Sequence, residues 1–300
     1  MSPRHSPMFT LAATLTVGAL ALAACGSDSL SEGDGAGGES VEVEVDEELA
    51  AMVPEEIAEQ GTLQIGSDAS YAPNEYLDAD GETVVGFDVD LFDAVAAKLG
   101  LETEWENAGF DTIITGVQGN RYDLGVSSFT INAERKEQVN MVSYFNAGTQ
   151  WAAAEGNPED VDPDSPCGLT VAVQAGTVQF EEDLPPKEEA CEEEGDPITV
   201  EPYDGQDDAT AAVVSGGADA MLADSPIVAY AVDQSDGEIE AVGEVYDAAP
   251  YGYVIPQEDT EMADAIVAAL ESLQEDGTYE EILEGWGQTD GMIDDFAVNP

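Results

Sequence analysis

Between Gly86 and Gly100 the apolar positions fall on a helical stripe. In GFDVDLFDAVAAKLG, Phe87, Leu91, Val95 and Leu99 are spaced four apart, which places them on one face of a 3.6-residue period. Asp88, Asp90 and Asp93 crowd the positive N-terminal end, Lys98 sits in the last turn, and Gly100 suits a left-handed stop. Short β-like runs alternate with such periods from about Ile57 onward. Leu63–Gly66 reads as a first strand, and further strands are expected at Leu124–Val126, Leu169–Val173, Ala218–Leu222 and Tyr251–Ile255. A second helical period runs from Thr260 through Met262, Ile266, Leu270 and Leu273 to Gly277. Thr278-Tyr-Glu-Glu281 then predicts a capping box for a last helix carrying Ile282, Leu283 and Trp286. This alternation argues for an α/β architecture.

The N-terminal pattern is different. An apolar run from Met8 to Ala24 follows a short basic region around Arg4. It has the form of a secretory signal, predicted over residues 1–24, rather than a spanning helix with flanks. GSDSLSEGDGAGGES comes next. It has nothing to bury, so a tether is expected over residues 25–56.

Charge narrows the functions. The 300 residues include six Lys and Arg against 66 Asp and Glu, a net charge of −60. Nucleic-acid partners are excluded, because that binding begins with cations neutralising phosphates. So acidic a surface opposes its own compaction unless counterions screen it. A saline habitat is therefore expected, with a merely acidic secreted protein as the alternative. The one histidine, His5, lies in the predicted signal. A mature chain without imidazole excludes Ser–His and Cys–His nucleophiles and His-ligated zinc. The sequence contains no phosphate loop, no dinucleotide fingerprint, no nucleophile elbow and no solenoid repeat. No catalytic residue, metal or cofactor is expected, and the protein is read as a non-enzyme.

Leu22-Ala23-Ala24-Cys25-Gly26 resembles a bacterial lipobox, which implies lipidation of Cys25 and a membrane anchor. The plainer alternative is an ordinary signal with a chance cysteine. Cys167 and Cys191 remain. In an oxidising compartment an even remainder pairs by default, so a disulfide is expected across the acidic loop that contains PPKEEACEEEGDP.

Several stretches match one family in order: IGSDASYAP, GFDVDLFDAVAAKLG, GFDTIITGVQGNRYDLGVSSFTINAERKEQV, VAVQAGTVQ, ADAMLADSP and DGTYEEILEGWG. Together they resemble the amino-acid-binding solute receptors of ABC importers, over essentially all of residues 61–287. The resemblance implies an α/β type II periplasmic-binding-protein-like fold, with two lobes joined by a two-strand hinge. Lobe 1 would comprise residues 57–147 and 254–294, lobe 2 residues 148–253, with crossings near Asn146–Trp151 and Tyr251–Ile255. The implied partners are a free amino acid, permease subunits and the membrane through the lipid anchor alone, with the receptor acting as a monomer outside the cytoplasm.

A free amino acid presents a carboxylate and an ammonium, so its pocket needs a fixed cation and a fixed anion. Arginine suits the first role because its planar fork binds carboxylates bidentately. By resemblance Arg135 is that cation, with Thr130 and the backbone of the SSFT segment beside it. Thr177, in a turn opening a helix, resembles a second-lobe donor to the same carboxylate. Asp224 resembles the ammonium partner. Asp68, Tyr71 and Phe110 would line the side-chain pocket, and Ser127 and Ser128 would add polar contacts. Taken alone, Arg135 could be a surface arginine pairing Glu134 or Glu137, Tyr71 and Phe110 could be core aromatics, and Lys136 reads as solvated. Asn74 and Val178 depart from the family's usual residues, so relatives' specificities do not transfer directly.

Besides Arg135, the cations left after the signal are Lys98, Arg121, Lys136 and Lys187. None points to the cleft from sequence, which favours a neutral polar or basic ligand over an acidic one. Two alternatives share the fold: an exported dehydratase acting on cyclic carboxylic acids, resembling cyclohexadienyl dehydratase, and a sensory module presenting its ligand to a membrane receptor.

Overall fold

The computed structural model describes residue 41 and residues 43–300. The expected signal, Cys25 and the first part of the tether lie outside the described residues. In chain order the elements begin with α1 (Glu47–Ala50), α2 (Glu55–Gln60), β1 (Thr62–Ser67), β2 (Ser70–Tyr71), β3 (Glu75–Leu77), β4 (Val84–Val85) and α3 (Phe87–Lys98). There follow β5 (Glu102–Asn107), α4 (Phe110–Gln118), β6 (Leu124–Gly125), α5 (Ala133–Gln138) and the long β7 (Asn140–Ala154). The next group is β8 (Thr170–Gln174), α6 (Leu184–Glu194), β9 (Thr199–Tyr203), α7 (Gln206–Val214), β10 (Ala220–Asp224) and α8 (Ser225–Gln234). The chain ends with the long β11 (Ile239–Ile255), α9 (Thr260–Asp276) and α10 (Thr278–Gly285).

Eight strands form one sheet in the order β5-β1-β6-β11-β7-β10-β8-β9. The two long strands, β7 and β11, run through its middle and belong to both lobes. They pair with each other; β11 also pairs with β6 in lobe 1, and β7 with β10 in lobe 2. The pairing of β11 with β7 shifts register between Val242 and Tyr246 and again between Tyr246 and Ala249. Val254 already pairs Gly125 of β6, and Tyr251 bridges Thr130. The second crossing therefore precedes the expected Tyr251–Ile255, where the strand is already in lobe 1.

Each lobe has its own core. In lobe 1 the stripe Phe87, Leu91, Val95 and Leu99 is buried against Leu63, Ile65, Ile266 and Leu270. In lobe 2, alternation splits the strands: Trp151, Val171, Val173 and Leu222 face α6, while Ala152, Ala172 and Met221 face α7 and α8. Such two-sided burial makes the strands read as apolar runs.

Two expectations fail locally. The stretch read as tether is partly folded: Asp46 caps α1 by accepting from the amides of Glu48 and Leu49, and Val41, Val43 and Leu49 pack on the lobe 1 core. Its valines alternate with acids, so composition hid an edge that has a surface to cover. The capping box at Thr278 does not form, because Gly277 occupies the cap in a left-handed conformation (φ 90°) and Thr278 is already helical.

Cys167 and Cys191 are bonded across a separation of 24 residues. The bond fixes α6, whose buried residues are Leu184 and Cys191; so few apolar anchors hold the acidic helix weakly by themselves. Replacing both cysteines by serine is expected to cost about 3 kcal/mol from loop-closure entropy, read as a lower urea midpoint with unchanged secondary structure.

Candidate functional site

The site forms where both lobes meet over the crossing strands. From lobe 1, β1 ends at Ser67 and the chain turns at Asp68. The Asp68 carboxylate accepts from the Ser70 amide (3.1 Å) and hydroxyl (2.6 Å), and from the amide of Phe110 (2.8 Å), the first residue of α4. It thus neutralises a helix N-terminus. Gln174 of lobe 2 donates to the same carboxylate at 3.1 Å. Burial raises the Asp68 pKa, against the lowering effect of the Ser70 and Phe110 bonds.

Arg135 owes its position to the T-I-N-x-x-R segment. Asn132 caps α5 by accepting from the Arg135 amide at 2.8 Å, so Arg135 stands in the first turn with its side chain folded back. Its residue is 6% exposed. The guanidinium donates to the carbonyls of Thr130 (2.8 Å) and, across the cleft, Gly176 (2.9 Å). It lies 5.5 and 5.4 Å from the ring centroids of Phe110 and Phe129, which stack on one another at 4.5 Å. Among the described residues the ion pairs are Lys98–Asp276, Arg121–Glu106 and Lys187–Asp183. Arg135 is in none of them. Burial lowers its pKa, with the charges of Glu181, Asp224 and Glu182 opposing.

Asp224 ends β10 and is the lobe 2 counterpart. One carboxylate oxygen accepts from Gln179 Nε2 (2.7 Å), the other from the hydroxyls of Tyr251 (2.8 Å) and Tyr71 (3.0 Å). Burial raises its pKa, opposed by those three bonds and by Arg135. Thr177 is buried, and its hydroxyl donates to the Gln174 carbonyl. Its turn needs Gly176, whose φ is +78° and whose added Cβ would lie 3.1 Å from Asp111 Cβ on the opposite lobe.

The expected residues therefore converge, with one change of role. Ser127 and Ser128 are buried, but their hydroxyls turn inward: Ser127 Oγ donates to Glu75 and accepts from the Asp68 amide, and Ser128 Oγ bonds Glu75, Asp88 and Asn74. Those hydroxyls are committed to the protein. Lys136 is half-buried and donates to the Pro300 carbonyl rather than standing free in solvent. Sequence reasoning missed Gln174, Gln179, Tyr251 and Phe129. Buried amides and phenols carry no periodic signal, although Phe129 lies inside a motif already singled out.

The lobes are closed on each other. Besides the Tyr71–Asp224 and Arg135–Gly176 bonds, the Gln206 amide donates to Ser70 Oγ at 3.0 Å and Asn132 donates to Glu182 at 2.5 Å. Two lobes on a two-strand hinge, with a buried cation and anion facing one cleft, define a binding protein of the type II periplasmic fold. Residues 63–289 match the model for bacterial extracellular solute-binding proteins, family 3, and the chain belongs to that family. It is 38% identical over 296 residues to the arginine-binding protein ArgT of Corynebacterium glutamicum, covering 98% of this chain and 96% of that one. An ancestral arginine-binding protein solved with arginine superposes at TM-score 0.69 and 32% identity, covering 75% of this chain and 98% of that one. The ancestral amino acid-binding protein AncCDT-1, a precursor of cyclohexadienyl dehydratase, superposes at TM-score 0.68 and 31% identity, with 77% and 98% covered. The chain is thus a solute-binding protein rather than an enzyme.

Tyr71 ties lobe 1 to a buried carboxylate in lobe 2. Tyr71→Phe keeps the ring and removes that bond, at an expected cost of about 1.5 kcal/mol. The check is the urea midpoint of unfolding.

Proposed function

We propose that the protein is an extracytoplasmic receptor that captures a basic amino acid, arginine above all, and hands it to an ABC-transporter permease. The observation that carries this reading is the buried Arg135 guanidinium. It is held by two carbonyls against two aromatic rings, and no ion pair among the described residues includes it. A ligand carboxylate supplies the absent anion through the remaining donors of the fork. Thr130 and Thr177 flank it, together with the backbone of Ser127 and Ser128.

The ligand ammonium goes to Asp224, on the other lobe. Both ends of one small molecule are then satisfied only when the lobes are closed, so binding energy selects the closed state. Tyr71 and Phe110 line the path of the side chain, with Asp68 as its acid. A basic end is favoured over a neutral polar one by the acids around the cleft. A cavity of about 390 Å³ lined by Thr130, Thr149, Glu182, Asp183 and Asp247 opens beside Thr130. Lys187 also borders it, but Asp183 pairs with this lysine at 2.6 Å. Lys98 and Arg121 are paired elsewhere and Lys136 donates to the Pro300 carbonyl, leaving no cation among the described residues suited to an acidic side chain. The named arginine-binding relatives agree with this choice.

Signal removal before Cys25, lipidation of that cysteine, and action as a monomer complete the proposal. The permease and the membrane anchor are its partners outside the cleft.

Four outcomes are expected. In a thermal-shift panel of free amino acids, arginine should raise the midpoint most, the stabilisation reaching about 2.7 kcal/mol at a hundredfold excess over Kd; a larger shift with glutamate overturns the choice of ligand. Arg135→Ala should weaken arginine binding about 100-fold or more by calorimetry, because a buried charge loses its partner. Acidification should weaken binding as well. Burial raises the Asp224 pKa, and a proton competes with the ligand ammonium for that carboxylate. Affinity should therefore fall as pH drops through the raised value and recover above it, seen by calorimetry at successively lower pH. Asp224→Asn should weaken binding and remove that dependence.

A further inference from the structure

Under the Arg135 side of the pocket lie two carboxyl groups with no cation beside them. Glu75 on β3 and Asp88 on α3 are each 0% exposed. They share the Ser128 hydroxyl, whose Oγ lies 3.0 Å from Glu75 Oε2 and 3.3 Å from Asp88 Oδ2. Glu75 accepts from the hydroxyls of Ser127 (3.1 Å) and Ser128 (3.0 Å). Asp88 Oδ2 accepts from the Ser128 amide (3.1 Å) and the Tyr144 hydroxyl (2.5 Å). Asp88 Oδ1 is buried without a donor. The other titratable groups turned toward the pair are phenols: Tyr71 from β2, Tyr144 from β7, and Tyr251 and Tyr253 from β11, all fully buried and pushed upward by burial. Asp224 lies one phenol further away, through Tyr71 and Tyr251.

Two carboxylates cannot both remain ionised at such a place, since each is stripped of water and repels the other. The Ser128 hydroxyl has one hydrogen to give to the two acids, so a proton on Glu75 removes one of the buried charges and adds a donor to the pair. Ser128 has φ +50°, a left-handed conformation unusual for a residue with a side chain. Its amide and hydroxyl are held there by Asp88. The chain continues directly into Phe129 and Thr130, the ring and the carbonyl that fix Arg135.

We propose that Glu75 and Asp88 are positioning residues that share one proton and, through Ser127 and Ser128, hold the segment that places Arg135. The role in binding rests on the receptor reading above. The shared proton does not.

The test is urea unfolding of the full chain at fixed salt across about pH 6–8, for wild type, Glu75→Gln and Asp88→Asn. Burial first, and then the Asp88 charge, raises the Glu75 pKa well above the ordinary carboxylate range. The folded chain thus retains a proton that the unfolded chain releases, and stability falls as pH rises toward the raised value. One such proton makes the folding constant drop about tenfold per pH unit. Either amide variant supplies its N–H permanently, so its pH slope should be shallower than wild type by up to that factor. With L-arginine at neutral pH, Glu75→Gln should bind within about threefold of wild type, and Glu75→Ala more than about tenfold weaker, as expected when buried acceptors are removed. A wild-type pH slope in both amide variants overturns the shared proton. Wild-type affinity in Glu75→Ala overturns the positioning role. Should Glu75→Ala fail to fold, the slope of Glu75→Gln and its rescue of binding still decide. A wild-type chain that ignores arginine instead removes the ligand reading, with the slopes still deciding the proton pair.

Discussion

A guanidinium taken out of water with no carboxylate at its side is the constraint around which this structure is arranged. Burying a cation is costly unless hydrogen bonds and an opposite charge replace the lost hydration. Here two carbonyls and two aromatic faces supply the first part. One of those carbonyls, Gly176, belongs to lobe 2, so Arg135 is fully held only when the lobes are together. Asp224 shows the same logic with the signs reversed: its carboxylate draws both of its phenols, Tyr71 and Tyr251, from lobe 1. Each lobe carries a charge that the other lobe helps to solvate. Closure is therefore built from polar groups, and an apolar seam is not needed.

The scarcity of cations sharpens this arrangement. Lys98 ties α3 to α9 through Asp276, Arg121 pairs Glu106, and Lys187 pairs Asp183 while lying 5.4 Å from the Tyr246 ring centroid. All three lie close to a carboxylate of the chain. In a chain of net charge −60, an unpaired arginine inside the protein is retained against the general trend of the composition. Among the described residues, the cations other than Arg135 are thus held by groups of the chain itself.

The fold was legible where burial follows a period. The α3 stripe, the period from Thr260 to Gly277 and the five expected strands appear in the sequence because their apolar residues recur periodically or run without break, whereas β5, mostly exposed, gave no such signal. Arg135, Asp224, Asp68, Tyr71, Phe110 and Thr177, which the fold brings together at one cleft, were singled out through motif order instead, since no periodicity marks a cleft. What escaped was polar and buried. Asp88 read as one of three acids favouring a helix N-terminus, yet it is enclosed and bonded to Ser128 and Tyr144. Ser127 and Ser128 read as ligand contacts, yet their hydroxyls face the acids behind them. A polar residue looks the same in sequence whether it faces solvent, ligand or another acid. The partly folded tether escaped for the converse reason, because a few valines among acids carry too little signal to outweigh composition.

Charge is handled by two different physical means in the two environments of this chain. Dissolved ions screen surface carboxylates over about 8–10 Å at moderate ionic strength, so acids can accumulate there at small cost. No ion reaches Glu75 and Asp88, and salt cannot relieve their repulsion. The interior must use what the chain itself carries, and with lysine and arginine nearly absent that means phenols and a proton. Tyr71 and Tyr251 on Asp224, and Tyr144 on Asp88, fit this pattern: each offers a strong O–H donor to a buried carboxylate without adding a charge. Where a full positive charge remains inside, at Arg135, the chain surrounds it with carbonyls and aromatic faces rather than with one of its many acids.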